Sequence, residues 1–138
     1  MTSFRTAAAV TFVLVWSPML LAGHGTEDDV VTITAEQVKV FLDGREKIFL
    51  VDLRPAKDFQ KTRLPGARSL PMKEVDKRFH EIPKSGRVVL YCDCPQNNVI
   101  EQAYQLLKDY GYRNTAVMAD TFQEWQKRKY PVETGAKK

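Results

Sequence analysis

The sequence predicts an α/β domain in three layers, a mostly parallel central sheet with helices on both faces. Two observations carry this. Continuous apolar runs of strand length, Ile48 to Val51 and Val88 to Leu90, lack the polar alternation of a half-exposed strand. They suit strands buried on both sides, as parallel sheets provide. Between and around them lie segments whose apolar residues recur every three or four positions, so strands alternate with helices. The 138 residues leave room for one such domain and not for two.

Taken in order, Thr34-Ala35-Glu36-Gln37 forms a capping box, with Thr34 as N-cap and Gln37 reaching back. The helix it opens turns Val38, Phe41 and Leu42 inward and ends at Asp43-Gly44. Ile48 to Val51 is a strand leading to Asp52, Leu53 and Arg54. Pro55 suits the first turn of a short helix through Phe59. Leu64-Pro65-Gly66-Ala67 reads as a turn, and Ser69-Leu70 as a short strand that Pro71 stops. Lys73 to His80 is helical, with Val75 and Phe79 inward. Arg87 to Tyr91 is the next strand, and Cys92 to Asn97 is a loop. From Asn98 a helix sets Val99, Ala103, Leu106, Leu107 and Tyr110 on one face, and Gly111 supplies its left-handed cap. Thr115 to Met118 is a short strand, Thr121 caps a last helix through Lys129, and Tyr130-Pro131-Val132 closes the domain.

Residues 1–25 have a different character. Arg5 is the only charge before Glu27, Ala7 to Leu21 is mostly apolar, and Gly23 and Gly25 suit a cleavage site before Thr26. This is the pattern of an export signal, with the bacterial periplasm as the expected compartment. The alternative is an uncleaved membrane anchor, although Pro18 interrupts a run shorter than the ~20 residues a spanning helix needs. The expected division is a signal at 1–25, a linker at 26–31, the domain at 32–132 and a flexible tail at 133–138. A net charge of +4 with no stripe of Arg and Lys among aromatics gives no support for nucleic-acid binding. Contact with a membrane is expected only through an uncleaved N-terminus.

In parallel α/β folds, ligands bind beyond the C-terminal ends of the strands. Cys92 sits at such an end, two residues from Cys94. A bridge between them would close a very small ring and would not serve as a structural staple. Two thiolates suit Cu(I) or Zn, but no His lies nearby, so no metal site is expected.

The chain from about Thr32 to Val132 resembles a rhodanese-like domain. Asp52-Leu53-Arg54 resembles the family's D-x-R. Leu64-Pro65-Gly66-Ala67 followed by Pro71 resembles its I-P-G-A-x-x-x-P segment. Tyr91-Cys92 resembles the strand end that opens its sulfur-transfer loop, and Gly111-Tyr112, Trp125 and Tyr130-Pro131-Val132 match its C-terminal landmarks. The resemblance implies sulfane-sulfur transfer. A Cys thiolate attacks a donor such as thiosulfate, becomes a persulfide and passes the sulfur on. It implies Cys92 and Cys94 as catalytic residues, with Asp93, Pro95, Gln96, Asn97 and Asn98 as the substrate-binding loop. A small sulfur donor, a thiol acceptor and a protein thiol are the expected partners, and no cofactor is expected. Asp52, Arg54 and Gly66 are expected to be structural, the first two tying loops to the sheet by charge-assisted hydrogen bonds.

The loop departs from the family. Pro95 and Asn97 stand where many active relatives carry Gly and Arg, and no Arg occurs between Arg87 and Arg113. A local cation is therefore missing, and Arg63 or Arg68 is the expected source of anion contacts. Cys-based phosphatases need an Arg six residues after the Cys. Asn98 stands there, which excludes that activity. Strand alignment favours Cys92 as nucleophile. Helix alignment favours Cys94, which lies 17 residues before Gly111 where Cys92 lies 19 before it. A Y-C-x-C-P opening shared with a subset of relatives supports a longer loop and Cys92. The competing expectations are a binding module that has lost the activating loop, and a C-x-C protein that handles redox or metal chemistry without sulfur transfer.

Overall fold

The structure, a computed structural model, describes residues 29–94 and 97–135. In chain order its elements are β1 (Thr32–Ile33), α1 (Ala35–Asp43), β2 (Ile48–Asp52), α2 (Ala56–Lys61), β3 (Thr62–Arg63) and β4 (Arg68–Ser69). A short helical segment follows, with 3-10 turns at Met72–Glu74 and Phe79–Glu81 flanking α3 (Val75–Arg78). Then come β5 (Arg87–Tyr91), α4 (Asn97–Asp109), β6 (Thr115–Met118), α5 (Phe122–Lys127) and β7 (Glu133–Thr134).

The main sheet has the order β1-β6-β5-β2-β4, and every pairing in it is parallel. The α/β fold class read from the sequence is the observed one. Central β5 and β2 run in register from Ile48 opposite Arg87 to Asp52 opposite Tyr91. That register brings Asp52 and the residues after Tyr91 together at one end of the sheet.

Alternation along β5 divides the core. Val88, Leu90 and Cys92 join one apolar cluster with Val75, Ala103, Tyr104 and Leu107, beneath α3 and α4. Val89 and Tyr91 join the other with Val38, Leu64, Phe122 and Trp125, beneath α1 and α5. Side chains of successive strand residues point to opposite faces, so one five-residue strand serves both layers. Thr34 and Thr121 each form the reciprocal capping box, which fixes where α1 and α5 begin. Gly111 takes φ +85° and closes α4, a backbone angle that costs glycine nothing.

The structure moves several boundaries. The helix expected over 73–80 is split into 3-10 and α pieces, and its last turn meets Ile82 in extended conformation. The final helix ends at Lys127, and Lys129 adopts φ +56°. The expected linker reaches the sheet early, because the Val31 carbonyl accepts from Val117 N–H at 2.8 Å. The expected tail is also shorter. Glu133–Thr134 pairs antiparallel with Thr62–Arg63, and only 136–138 remain outside the described residues. A two-residue strand has no periodicity to read, so pairing alone reveals it. The expected signal at 1–25 and the first linker residues, 26–28, lie outside the described residues. No helix among the described residues is long and apolar enough to cross a membrane.

Candidate active site

The site begins with a buried charge. Asp52 ends β2 fully buried, and Arg54, two residues on, folds back over it. Arg54 Nη2 donates to Asp52 Oδ2 at 2.6 Å and Nε donates to Oδ1 at 3.0 Å. Nη2 also donates to the Thr62 carbonyl at 2.7 Å, and the Tyr91 hydroxyl donates to Asp52 Oδ2 at 2.6 Å. The same hydroxyl accepts from Leu64 N–H at 3.2 Å, so it ties the Leu64–Ala67 turn to the strand ends. Burial works against the Arg54 charge, but the Asp52 hydrogen bonds and field outweigh it and raise its pKa. Burial, then the charge of Asp52, pushes the Tyr91 phenol up and keeps it protonated. A buried carboxylate is tolerated only when paired and hydrogen-bonded in this way.

Beyond these strand ends lies a cavity of about 780 Å³. Cys92, Asp93 and Cys94 form one wall. Leu53, Arg54 and Pro55 follow from the end of β2, Met72 and Lys73 from the 3-10 turn, and Phe122 and Gln123 from α5. Most of the wall is apolar, with Lys61 and Lys73 on exposed parts of it. Thr62 Oγ1 is buried in the same wall and has no hydrogen-bond partner among the described residues.

The cysteine loop is held at two points. Phe122 N–H donates to the Cys92 carbonyl at 3.3 Å. Asp93 Oδ1 accepts from Gln123 N–H at 2.9 Å, and its Oδ2 lies 3.7 Å from Arg54 Nη1. The Arg54 guanidinium lies over the Phe122 ring at 3.8 Å. Cys92 is 8% exposed, while Cys94 is more open. The two sulfurs are joined as a disulfide, with Cα atoms 5.2 Å apart.

The cation beside the cysteine loop is neither Arg63 nor Arg68. Arg63 is buried away from the cavity, where Nη1 donates to the Gly135 carbonyl at 2.5 Å and Nε pairs with Glu133 at 3.2 Å. Arg68, on the edge strand β4, is exposed and lines a separate cleft with Phe49 and Ile82. Neither reaches the cysteines. The cation beside the loop is Arg54, expected to be structural, which also lines the cavity. Its partnership with Asp93 is invisible in sequence because the two residues lie on different crossover units. Asp93, expected in the substrate-binding loop, is itself engaged by Arg54 and by Gln123 N–H. Gly66 takes φ +74° and its N–H donates to Glu133 Oε1 at 3.0 Å, so it is a turn residue away from the cavity. Asn97 opens α4 and Asn98 is exposed, while Val99 rather than Asn98 lines the cavity. Pro95 and Gln96 lie outside the described residues. No group of three His, Cys, Asp or Glu side chains fit for a metal ion occurs among the described residues.

Comparison with known proteins agrees with this geometry. The family model for the rhodanese-like domain matches residues 34–128, and the chain belongs to that family. It is 23% identical over 104 residues to the putative sulfur carrier protein YrkF of Bacillus subtilis, covering 74% of this chain and 55% of that protein. It is 33% identical over 79 residues to a sulfurtransferase of Allochromatium vinosum, covering 57% of this chain and 74% of the relative. The chain thus spans only about half the length of the first of these relatives. Among solved structures, the thiosulfate sulfurtransferase of Pseudomonas aeruginosa superposes with a TM-score of 0.65 at 23% identity, over 79% of this chain and 21% of that one. At that identity the likeness shows the fold.

Proposed function

We propose that this domain is a sulfurtransferase that carries a persulfide on Cys92. The observation that carries the reading is the position of Cys92, at the C-terminal end of the central strand, lining the cavity beside Arg54. Relatives named for sulfur transfer and sulfur carriage support the same class.

The reaction starts from the reduced pair. The Cys92 thiolate attacks the outer sulfur of a sulfane donor. With thiosulfate, the donor S–S bond breaks and sulfite leaves with the bonding electrons. The new persulfide then passes its outer sulfur to a thiol acceptor. Alternatively, the Cys94 thiolate attacks Cys92 Sγ, hydrosulfide leaves, and a Cys92–Cys94 disulfide remains for an outside thiol to open. Arg54 is the cation beside the loop, paired with Asp52 and lying 3.7 Å from Asp93. The proposal includes export by residues 1–25, which N-terminal mass analysis of the mature protein tests.

Intact mass of the reduced protein after incubation with thiosulfate tests the chemistry. Wild type gains one sulfur atom and Cys92→Ser gains none. A gain that survives in Cys92→Ser and disappears in Cys94→Ser moves the nucleophile to Cys94. No gain in a wild type with both thiols free removes thiosulfate as donor.

A further inference from the structure

Sulfur transfer uses the thiols, whereas the structure holds them joined as a disulfide, and the two ends of that disulfide are unequal. Cys92 is buried, only 8% exposed, belongs to the apolar cluster under α4, and has its carbonyl held by Phe122 N–H. Asp93, between the two, is held by Gln123 N–H and lies beside Arg54. Cys94 is the more open residue of the pair. Both line a cavity open to solvent.

We infer that the site is also a thiol–disulfide exchange centre, in which Cys94 takes the external thiolate and Cys92 is the leaving group. The activity shares its cysteines with sulfur transfer but does not depend on it. A client thiolate attacks Cys94 Sγ, the Cys92–Cys94 bond breaks, and Cys92 leaves as a thiolate. The client is then held on Cys94 as a mixed disulfide. A second client thiolate attacks the client's sulfur, the client disulfide departs, and Cys94 leaves as a thiolate. Two electrons have passed from two thiols to the protein disulfide, and the two thiol protons end on the Cys92 and Cys94 thiolates or in solvent.

Access and ring size both favour this exchange. Exchange rates follow access to the attacked sulfur, which favours Cys94. A ring spanning a single intervening residue removes little chain entropy from the unfolded state, so the bridge is not needed as a staple and is free to open. The client is a thiol on a flexible or small carrier, since it must reach a sulfur in the cavity wall.

The test uses glutathione and its disulfide as probes. Wild type equilibrated in a glutathione redox buffer, acid-quenched and alkylated, is expected to interconvert between a bridged form and a dithiol form as the buffer is varied. Cys92→Ser, which keeps Cys94, is expected to take one glutathione from glutathione disulfide about tenfold faster than Cys94→Ser, which keeps Cys92. Two free thiols in wild type at every buffer ratio overturn the proposal, as does faster capture by Cys94→Ser. The wild-type titration stands even where a variant folds poorly. A protein that exchanges but gains no sulfur from thiosulfate retains this inference and loses thiosulfate as donor; one that gains sulfur but keeps two free thiols at every buffer ratio retains the persulfide chemistry and loses this inference.

Discussion

At the scale of single residues, the site is built around Asp52. A fully buried carboxylate is stable only through its partners, and here Arg54 and Tyr91 supply them. Arg54→Ala strands that charge and is expected to cost about 3–5 kcal/mol in urea unfolding, because removing one partner of a buried pair leaves the other uncompensated. It also removes the cation beside Asp93. Tyr91 gives a pH signature. Its folded pKa is raised above the ordinary tyrosine value of about 10 by burial and by Asp52. The neutral form is therefore favoured by folding. Its contribution is complete below pH ~10 and is lost as pH rises above that value, where the unfolded chain deprotonates first. Melting wild type and Tyr91→Phe from pH 8 to 11 checks this. The stability gap between them is expected to shrink with rising pH through this group's titration, and a gap independent of pH would sink the argument. Asp52-Leu53-Arg54 was readable as a motif. That its Arg also faces the cysteine loop was not, since that contact joins β2 to the residues after β5.

At the scale of elements, the capped helices and the long strands follow from local chemistry, and the two-residue strands do not. Thr34 and Thr121 announce their helices because the capping box is a local bond pattern. The pair β3–β7 announces nothing, yet it decides where Arg63 goes. Arg63 spends its donors on Glu133, Gly135 and Phe59, all behind the cavity wall. Ending the chain at Val132 removes two of those three acceptors from a buried guanidinium. The expected cost is about 1–3 kcal/mol, read as a lowered urea midpoint. An unchanged midpoint would mean that the β7 contacts are not formed in solution.

At the scale of the whole molecule, the parallel order β1-β6-β5-β2-β4 carries both core clusters and collects the functional groups at one pole. The cysteine bridge lies at that pole and spans one residue, so it adds little to global stability. Reducing it is expected to lower stability by about 1–2 kcal/mol at most on the chain-entropy account. Denaturant unfolding with and without reductant measures this, and a loss several times larger would make the bridge structural. The fold class, both long strands, the caps and the placing of Cys92 at a strand end were legible from the chain alone. Each is written in short-range pattern: apolar runs, helical spacing, capping residues and turn glycines. The partner of Asp93, the source of the cation, the retreat of Arg63 and Arg68, and the inequality of the two sulfurs came from the tertiary structure. Each depends on which residues distant in sequence become neighbours: Arg54 and Asp93 meet across a parallel crossover, Arg63 is drawn off by the antiparallel β3–β7 pair, and neither meeting is written in a local pattern.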